Sequence, residues 1–198
     1  MIAIIDYKAG NLTSVKYAFD ALGVESRVTS DAAEIAAADR VVFPGVGAAR
    51  SAMANLASLG LVDVVRRVAQ EKPFFGICLG MQILFDRTEE DGGVDCLGLV
   101  PGEVRRFPDA PGCKIPHMGW NNVECRMQNA ECVMGNGEYY YFVHSYYAPV
   151  GEFTAGVTEF AGVEFTSMVK RGMITATQFH PEKSGAAGLA LLKGWLSC

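Results

Sequence analysis

The chain has 198 residues and a formal net charge of −5, and half of its residues are apolar while a fifth are charged. This length predicts a single domain over residues 1–198, large enough to form a core without disulfide or metal support. The acidic balance argues against a nucleic-acid-binding or anionic-membrane-binding protein, because such proteins carry clustered lysine and arginine. No apolar run in the sequence is long enough to cross a bilayer.

The amino terminus and the cysteines together predict a cytoplasmic location. The first residues, MIAIIDYKAG, resemble a strand and lack the basic lead of a secretory signal. The six cysteines form no CxxC pair, so in a chain of this length they are expected to be reduced thiols. They are Cys78, Cys96, Cys113, Cys125, Cys132 and Cys198.

The first half of the sequence alternates strand and helix patterns. The short apolar segments IAIID, VESRV, RVVF and PFFGI are typical of strands. Helical spacing starts after the capping residue Asn11 and stops at Gly23, starts again near Asp31, and covers residues 48–70 with a break at Gly60. It resumes in LGMQILFDR, after PFFGI. Such repeated strand–helix units predict an α/β fold with a mostly parallel, doubly wound central sheet flanked by helices.

The second half is expected to be rich in β-strands. The segments GLVPGEVRRF, NNVEC, YYYFVHSYY and FTAGVTEF favour strands, and KRG is typical of a hairpin tip between two further alternating strands. The chain closes with SGAAGLALLKGWL, which predicts a helix with Leu189, Leu192 and Trp195 on one side.

The segment GICLG places Cys78 where a strand pattern changes to a helix pattern. G-x-C-x-G is the cysteine form of the nucleophile elbow, a sharp turn that exposes the nucleophile at the carboxyl edge of a sheet. Gly76 and Gly80 would relieve the steric clashes of that turn, and a helix amino terminus would favour the reactive thiolate. Taken alone, the pentapeptide is equally compatible with a small buried cysteine.

A cysteine nucleophile needs a base, and the chain contains His117, His144 and His180. His180 ends an alternating strand in TQFHPEKS, where Pro181 is expected to keep the backbone extended. Glu182 would then point to the same side as His180 and orient its imidazole as the third member of a triad. An isolated H-x-E is more often a strand-end histidine beside a solvated glutamate, but the elbow in the same chain favours the triad.

Donors for an oxyanion are predicted in the turn PGVG, residues 44–47. Val46 and Gly47 would present backbone N–H groups, and the amide of Leu79, just after the elbow cysteine, would supply a further donor. The alternative is an ordinary glycine-rich turn. A dinucleotide-binding loop is disfavoured because GVGAAR has Arg50 where the third glycine belongs.

In order and spacing, GICLGMQ, PGVG and HPEKS resemble the motifs of class I, triad-type glutamine amidotransferases, whose α/β fold is flavodoxin-like. DYKAGN, IPHMGWN and YYFVHSY narrow the resemblance to the glutaminase subunits of imidazole glycerol phosphate synthases, enzymes of histidine biosynthesis. The resemblance covers the chain from residue 2 to the closing helix. The Lys8–Ala9 pair and Gly185 are small departures, at positions that we expect to vary.

The resemblance implies a role for each matching residue. Cys78 would attack the side-chain amide of glutamine and form a γ-glutamyl thioester, His180 would protonate the leaving ammonia and then activate water, and Glu182 would hold His180. The residues expected to bind glutamine are Gly47, Gln82, Ser145 and Tyr146. The residues expected at a partner interface are Asn11, Trp120, Tyr141 and Lys183. The two aromatic residues could instead belong to the core, and the lysine could be a solvated charge.

A partner chain is also expected on chemical grounds. A free glutaminase would waste glutamine, and this short chain shows no second site for an ammonia acceptor. The resemblance implies a heterodimer with a (β/α)8-barrel cyclase, which receives ammonia and forms imidazole glycerol phosphate and an aminoimidazole-carboxamide ribonucleotide. It implies no metal or organic cofactor, and no His/Cys group has zinc-like spacing.

Three alternatives stay open from sequence. The nearest is another triad glutaminase, serving pyridoxal phosphate, anthranilate or guanine nucleotide synthesis, although PGVG and HMGWN favour the histidine branch. A cysteine peptidase or deglycase of related fold could share the elbow but would not be expected to carry HPEKS. A non-catalytic binding module of the same fold is disfavoured by the complete triad.

Overall fold

The computed structural model describes residues 1–126 and 137–197, so Cys132 and Cys198 lie outside the described residues. The strands, in chain order, are β1 (Ile2–Ile5), β2 (Ser26–Thr29), β3 (Arg40–Gly45), β4 (Phe74–Cys78), β5 (Phe85–Thr88), β6 (Val94–Asp95), β7 (Val100–Arg106), β8 (His117–Cys125), β9 (Glu138–His144), β10 (Tyr146–Tyr147), β11 (Thr154–Phe160), β12 (Val163–Arg171) and β13 (Ile174–Thr177). The α-helices are α1 (Leu12–Ala21), α2 (Ala32–Ala37), α3 (Ala49–Ser58), α4 (Val62–Glu71), α5 (Leu79–Gln82) and α6 (Gly185–Ser197). The alternating first half and the β-rich second half are both confirmed.

One large mixed sheet connects the two halves of the chain. Among the described residues its strand order is β2-β1-β3-β4-β13-β12-β11-β8-β9. Neighbours from β2 to β13 run parallel, whereas neighbours from β13 to β9 run antiparallel. A smaller sheet has the order β10-β7-β5-β6. The predicted parallel sheet is therefore the first part of a larger mixed one.

Helix boundaries in the first half follow local capping chemistry. The side chain of Asn11 accepts a hydrogen bond from the N–H of Ser14 at the start of α1. Asp31 accepts two such bonds, from residues 33 and 34, at the start of α2. Gly60, with φ of +67°, separates α3 from α4. These caps satisfy N–H groups that the helix cannot pair internally, which is why the sequence predicts them well.

The segment after Cys78 differs from its prediction. LGMQILFDR was expected to be helical, but α5 ends at Gln82 and Phe85 already begins β5. Phe85 is fully buried and pairs with Val100 of β7. Strand pairing and burial of this side chain therefore outweigh the local helical spacing. The macrodipole expected to favour a thiolate at Cys78 is correspondingly that of a single helical turn.

The central sheet is covered on both faces, as a parallel sheet requires. Alternate residues of β1 join different groups of buried side chains, with Ala3 on one face and Ile4 on the other. Helix α6 covers the second face: Trp195 packs edge-on against Phe75, with ring centroids 5.3 Å apart. Packing on both faces thereby fixes the position of the sheet edge at which the parallel strands end.

The cysteines require one correction. Cys78, Cys96 and Cys113 are free, as expected, but Cys125 is disulfide-bonded. A disulfide depends on two cysteines lying close in space, with Cα atoms within about 7 Å and side chains directed at each other, so the lack of a CxxC spacing did not exclude one. Within the described residues, no helix is long and apolar enough to cross a membrane.

We expect Gly80→Ala to be strongly destabilising. A β-carbon at position 80 would overlap the carbonyl oxygen of Phe43, which is main chain of the adjacent strand and has little freedom to move. The free energy of unfolding should fall by about 3 kcal/mol. Gly60→Ala is the matched control: its β-carbon meets nothing within 4 Å, and its positive φ should cost only about 1 kcal/mol. Urea unfolding measures both, and equal losses would contradict this account of the turn.

Candidate active site

Cys78 lies in strained backbone at the junction of β4 and α5. Its φ of 54° and ψ of −112° belong to a region that residues with a side chain rarely adopt. A β-carbon at Gly76 would lie only 3.0 Å from the Ala176 side chain and 3.1 Å from the Gly80 carbonyl. The two glycines therefore leave the space in which this turn can form. The geometry is that of a nucleophile elbow.

His180 and Glu182 form a buried pair beside the elbow. Nδ1 of His180 lies 2.8 Å from Oε1 of Glu182, and the two side chains are 2% and 1% exposed. His180 itself is extended, as expected before a proline, but Pro181–Lys183 form a turn of 3-10 helix. Glu182 therefore reaches His180 through a turn and not through the predicted extended spacing. The backbone N–H of His180 also donates to the carbonyl of Tyr141 at 2.9 Å. Hydrogen bonds at the backbone N–H of His180 and at Nδ1 of its ring thus hold the imidazole in place.

The environment of His180 favours its charged form. Burial alone would lower the pKa of His180, but the neighbouring Cys78 sulfur and the Glu182 carboxylate raise the pKa to about 10. Within the described part of the chain, Nε2 of His180 and Oε2 of Glu182 have no hydrogen-bond partner. We therefore attribute the raised pKa of His180 to the charges of Cys78 and Glu182 and to the hydrogen bond between Nδ1 and Glu182. The free Nε2 is the position from which a proton can be given or taken.

A cavity of about 330 Å³ brings most of the predicted residues together. The predicted residues that line it are Val46, Gly47, Cys78, Leu79, Gln82, Ser145, Tyr146 and His180. Glu182 lies behind His180 rather than in the wall. Four further lining residues were missed from sequence, namely Glu90, Pro116, Val143 and His144. Pro116 lies within IPHMGWN, Val143 and His144 lie within YYFVHSY, and Glu90 had no sequence signal.

Glu90 brings a carboxyl group to this cavity. Its Oε2 accepts a hydrogen bond of 2.6 Å from the N–H of Ala49, which begins α3 directly after PGVG. Burial raises the pKa of Glu90, the Ala49 N–H opposes the rise, and the charge of Asp91 adds to it. Arg50 donates to the carbonyl of Asp91 at 2.8 Å. The segment around Glu90 is therefore tied to the turn that was predicted to carry oxyanion donors.

The PGVG turn lies directly beside the elbow. Gly45 pairs with Cys78 in the parallel ladder of β3 and β4, and Gly47 has a φ of +96°. Val46 and Gly47 also line a second cavity, of about 600 Å³, together with Asp6 and other residues. Leu79 is the first residue of α5, so its N–H is not used by the helix. The turn thus separates two cavities and has backbone groups near the nucleophile position.

Gln82 is more restrained than its predicted role suggests. Its Nε2 donates to the carbonyl of Tyr146 at 2.9 Å and to Oε1 of Gln178 at 3.0 Å. Both amide protons are therefore used inside the protein, and only Oε1 is left for a substrate. Gln178, which sequence analysis missed, in turn contacts Sγ of Cys78.

Three of the predicted interface residues lie close together: Trp120 on β8, Tyr141 on β9, and Lys183 in the turn after His180. Trp120 pairs with Tyr141 across the two strands, with ring centroids 6.2 Å apart. Nζ of Lys183 lies 6.0 Å from the centre of the Tyr141 ring. Trp120 is 56% exposed, and Met118 and Tyr139 are also exposed, so the core alternative does not hold for Trp120. Asn11, by contrast, serves as the cap of α1.

In residues 1–126 and 137–197, no group of three or more His, Cys, Asp and Glu side chains could hold a metal ion. The site therefore consists of an elbow cysteine, a buried histidine–glutamate pair, and a cavity lined on one side by the PGVG turn. This arrangement suits nucleophilic attack on a carbonyl carbon.

Comparison with known proteins identifies the class to which this site belongs. Residues 3–195 match the family model "Glutamine amidotransferase class-I". A crystal structure described as a glutamine amidotransferase superposes with a TM-score of 0.76 at 19% identity, covering 100% of this chain and 98% of that one. The structure of PurLQS from Thermotoga maritima gives a TM-score of 0.73 at 16% identity, covering 99% and 97%. The chain belongs to the class I glutamine amidotransferase family, and the predicted fold class is confirmed.

Closer relatives narrow that membership. The "Imidazole glycerol phosphate synthase subunit HisH" of Methylococcus capsulatus is 50% identical, over 98% of this chain and 95% of its own length. The HisH subunit of Listeria innocua is 44% identical, over 98% and 94%. Within its family the chain therefore groups with the HisH subunits, as the sequence motifs predicted.

We expect His180 and Glu182 to act as one unit with Cys78. General acid–base help is typically worth about 10²–10⁴ in rate, so His180→Ala should lose at least that much glutaminase activity. Glu182→Gln should lose less, because it orients the imidazole and transfers no proton. Adding Glu182→Gln to His180→Ala should change little more, since residues of one unit are not additive. Steady-state kinetics of the three variants measure this.

The control variants are His117→Gln and His144→Gln. Burial lowers the pKa of His117 to about 4. Burial also lowers that of His144, to about 3, against an opposing hydrogen bond to the Tyr146 carbonyl. Both are neutral where His180 is charged, so neither variant should reproduce the pH profile of His180→Ala. Fully additive losses for His180 and Glu182, or a matching profile in a control, would contradict the assignment.

Proposed function

We propose that this protein is the glutaminase subunit of an imidazole glycerol phosphate synthase, hydrolysing L-glutamine to glutamate and ammonia at the cavity around Cys78. The observation that carries the proposal is the meeting of a strained elbow cysteine with a buried His–Glu pair at one cavity. The family membership and the HisH relatives agree with it. The proposal also treats residues 1–198 as one glutamine amidotransferase domain that works in the cytoplasm, where the free Cys78 thiol stays reduced although Cys125 is disulfide-bonded.

The proposed reaction begins with the Cys78 thiolate and the His180 imidazolium. The sulfur adds to the side-chain carbonyl carbon of glutamine, and the carbonyl oxygen becomes an oxyanion. Nε2 of His180 gives its proton to the amide nitrogen, the C–N bond breaks, and ammonia leaves a γ-glutamyl thioester. The neutral imidazole then takes a proton from water, whose oxygen attacks the thioester. Breaking the C–S bond releases glutamate and restores the ion pair.

The walls of the cavity supply complementary groups for glutamine. Glu90 offers a negative charge suited to the α-ammonium group, and its position is fixed by Ala49. Ser145 and Tyr146 line the same cavity and are assigned to the amino-acid end, with Gln82 contributing only its Oε1. The N–H groups of Val46, Gly47 and Leu79 are assigned to the oxyanion.

The partner is a second, separate subunit of the synthase. We assign to it the cyclase chemistry on a (β/α)8 barrel that the family resemblance implies, and the ammonia formed at the Cys78 cavity needs such an acceptor. The surface proposed to meet the cyclase is the group of Trp120, Tyr141 and Lys183, and the family resemblance assigns Asn11 to the same interface. Exposed aromatic side chains of this kind are frequent anchors in protein interfaces.

We expect Cys78→Ala to abolish glutamine-dependent synthesis by the complex, because no other group can form the thioester. The same complex should still work with added ammonium salts, since the cyclase would then bypass the glutaminase site. Product formation with glutamine and with ammonium chloride measures both. Cys96→Ala and Cys113→Ala are controls that should keep most of the activity. Glutamine-dependent turnover by Cys78→Ala would contradict the mechanism.

We further propose that PGVG is a two-state switch. Two glycines bracket Val46, so its peptide planes can turn at low steric cost, and the turn has a cavity on each side into which groups can move. A carbonyl facing Cys78 would repel the developing oxyanion, whereas an N–H would stabilise it. The isolated chain holds the inactive arrangement, and the partner with its nucleotide favours the donor arrangement.

The switch predicts that activation by the liganded partner appears in kcat. A single oxyanion donor is typically worth about 10²–10³, so kcat should rise by that factor between the lone chain and the complex. KM for glutamine should change far less, because other residues hold the amino-acid end. Steady-state kinetics of both forms decide the matter. A lone chain that is already fully active, or activation confined to KM, would leave PGVG a static turn.

A further inference from the structure

Gln178 is a fully buried polar residue that the proposed mechanism does not use. It lies two residues before His180, and its Nε2 is 3.8 Å from Sγ of Cys78, within the range of a hydrogen bond to sulfur. A side-chain amide can present either an N–H or an oxygen to a neighbour. Which of the two faces the sulfur decides whether Gln178 favours or opposes a thiolate.

The carbonyl of Tyr146 decides this orientation. A backbone carbonyl only accepts hydrogen bonds, so Gln82, 2.9 Å away, must present its NH₂ group to it. The second proton of that NH₂ group then meets Gln178 at 3.0 Å, and Gln178 must answer with its oxygen. With Oε1 turned to Gln82, the NH₂ group of Gln178 is directed at Sγ of Cys78. The amide assignment thus follows from the hydrogen-bond network itself.

A second branch holds the same carbonyl in place. Nδ1 of His144 donates to the Tyr146 carbonyl at 2.7 Å, which leaves Nε2 of His144 to accept from Nδ1 of His117 at 3.0 Å. Nε2 of His117 then accepts from Asn121, whose NH₂ group also donates to the carbonyl of Glu159. The branch ends on the backbone carbonyls of Tyr146 and Glu159, which can only accept hydrogen bonds. These two ends determine which group donates in every hydrogen bond between them. Both histidines are neutral in it, in agreement with their lowered pKa values.

Sγ of Cys78 lies between opposing groups. The carbonyl of Val143 is 3.9 Å away and can accept a hydrogen bond from the thiol, which favours the protonated form. The NH₂ group of Gln178 can donate to the sulfur in either form, and donation to a charged atom is the stronger of the two. Removing the donor therefore leaves the Val143 carbonyl, which favours the protonated thiol, without an opposing hydrogen bond from Gln178.

We propose that Gln178 is a further catalytic residue, whose side-chain amide donates a hydrogen bond to Sγ of Cys78 and stabilises the thiolate, and that Gln82 positions it for this role. This deepens the proposed function, because it assigns a residue to the activation of the same nucleophile. The titratable groups that face the sulfur from the surrounding elements are His180, Tyr7, His144 and Glu90. They stay in place when Gln178 is replaced.

The test measures the thiol and not the turnover, so it separates this proposal from the proposed function. The rate at which iodoacetamide alkylates Cys78 is followed from pH 5 to pH 10, with mass spectrometry of the peptide that contains Cys78. Gln178→Leu should move the thiol inflection up by about one pH unit and slow alkylation about tenfold below it. Gln178→Glu, of the same shape but without the donor, should move it further. The matched controls are Gln70→Leu and Gln70→Glu, at an exposed position of α4.

A second variant keeps the proposal testable if Gln178 cannot be replaced without unfolding. Gln82→Leu leaves Gln178 in place but removes the group that fixes its orientation, so the inflection should rise by a smaller amount. The alkylation profile of folded Gln178→Leu, or of Gln82→Leu where the former does not fold, overturns the proposal if it superimposes on that of the unchanged protein. A shifted profile in an enzyme without glutaminase activity would support the hydrogen bond while removing the proposed function.

Discussion

The parallel pairing of β4 with β13 is the contact that assembles the site from distant parts of the chain. Ile77 lies opposite Thr177 in this ladder, so Cys78 and His180 follow neighbouring strands at the same sheet edge. On its other side β4 pairs with β3, where Gly45 lies opposite Cys78. Because β4 is bonded on both edges, a slip of one residue would turn every side chain to the other face and break both ladders. The register of β4 with its two neighbouring strands thus positions the nucleophile Cys78, the base His180 and the PGVG turn together.

The hairpin of β8 and β9 joins the wall of the cavity to the exposed surface. Side chains alternate along both strands, so His117 and His144 face inward while Trp120 and Tyr141 face outward. Of the inward pair, His144 donates to the Tyr146 carbonyl, and the outward pair belongs to the surface that we assign to the partner. His180 is charged whereas His117 and His144 are neutral, because His180 lies beside the Cys78 sulfur and has a carboxylate at hydrogen-bond distance, which the other two lack among the described residues.

Much of the fold and part of the site could be predicted from the sequence because short-range physics dictates them. Helix caps such as Asn11 act within one turn, and periods of 2 and 3.6 residues distinguish strands from helices over a few positions. The elbow depends on glycines two residues either side of Cys78, and the histidine–glutamate pair spans two residues. All of these signals are contained in segments of ten residues or fewer. The order of the motifs along the chain then identified the family that the sequence resembles.

Only the tertiary structure decided the features that depend on contacts between distant segments. Phe85 became a strand residue, against its helical spacing, because β7 pairs with it and buries it. Glu90 reached the cavity through a bond to Ala49, and Gln178 acquired its orientation from the Tyr146 carbonyl by way of Gln82. Each of these outcomes is determined by which main-chain groups pack together across the sheet and its connections. Local sequence patterns do not specify this pairing between distant segments, since the same short segment can satisfy its hydrogen bonds in more than one structural environment.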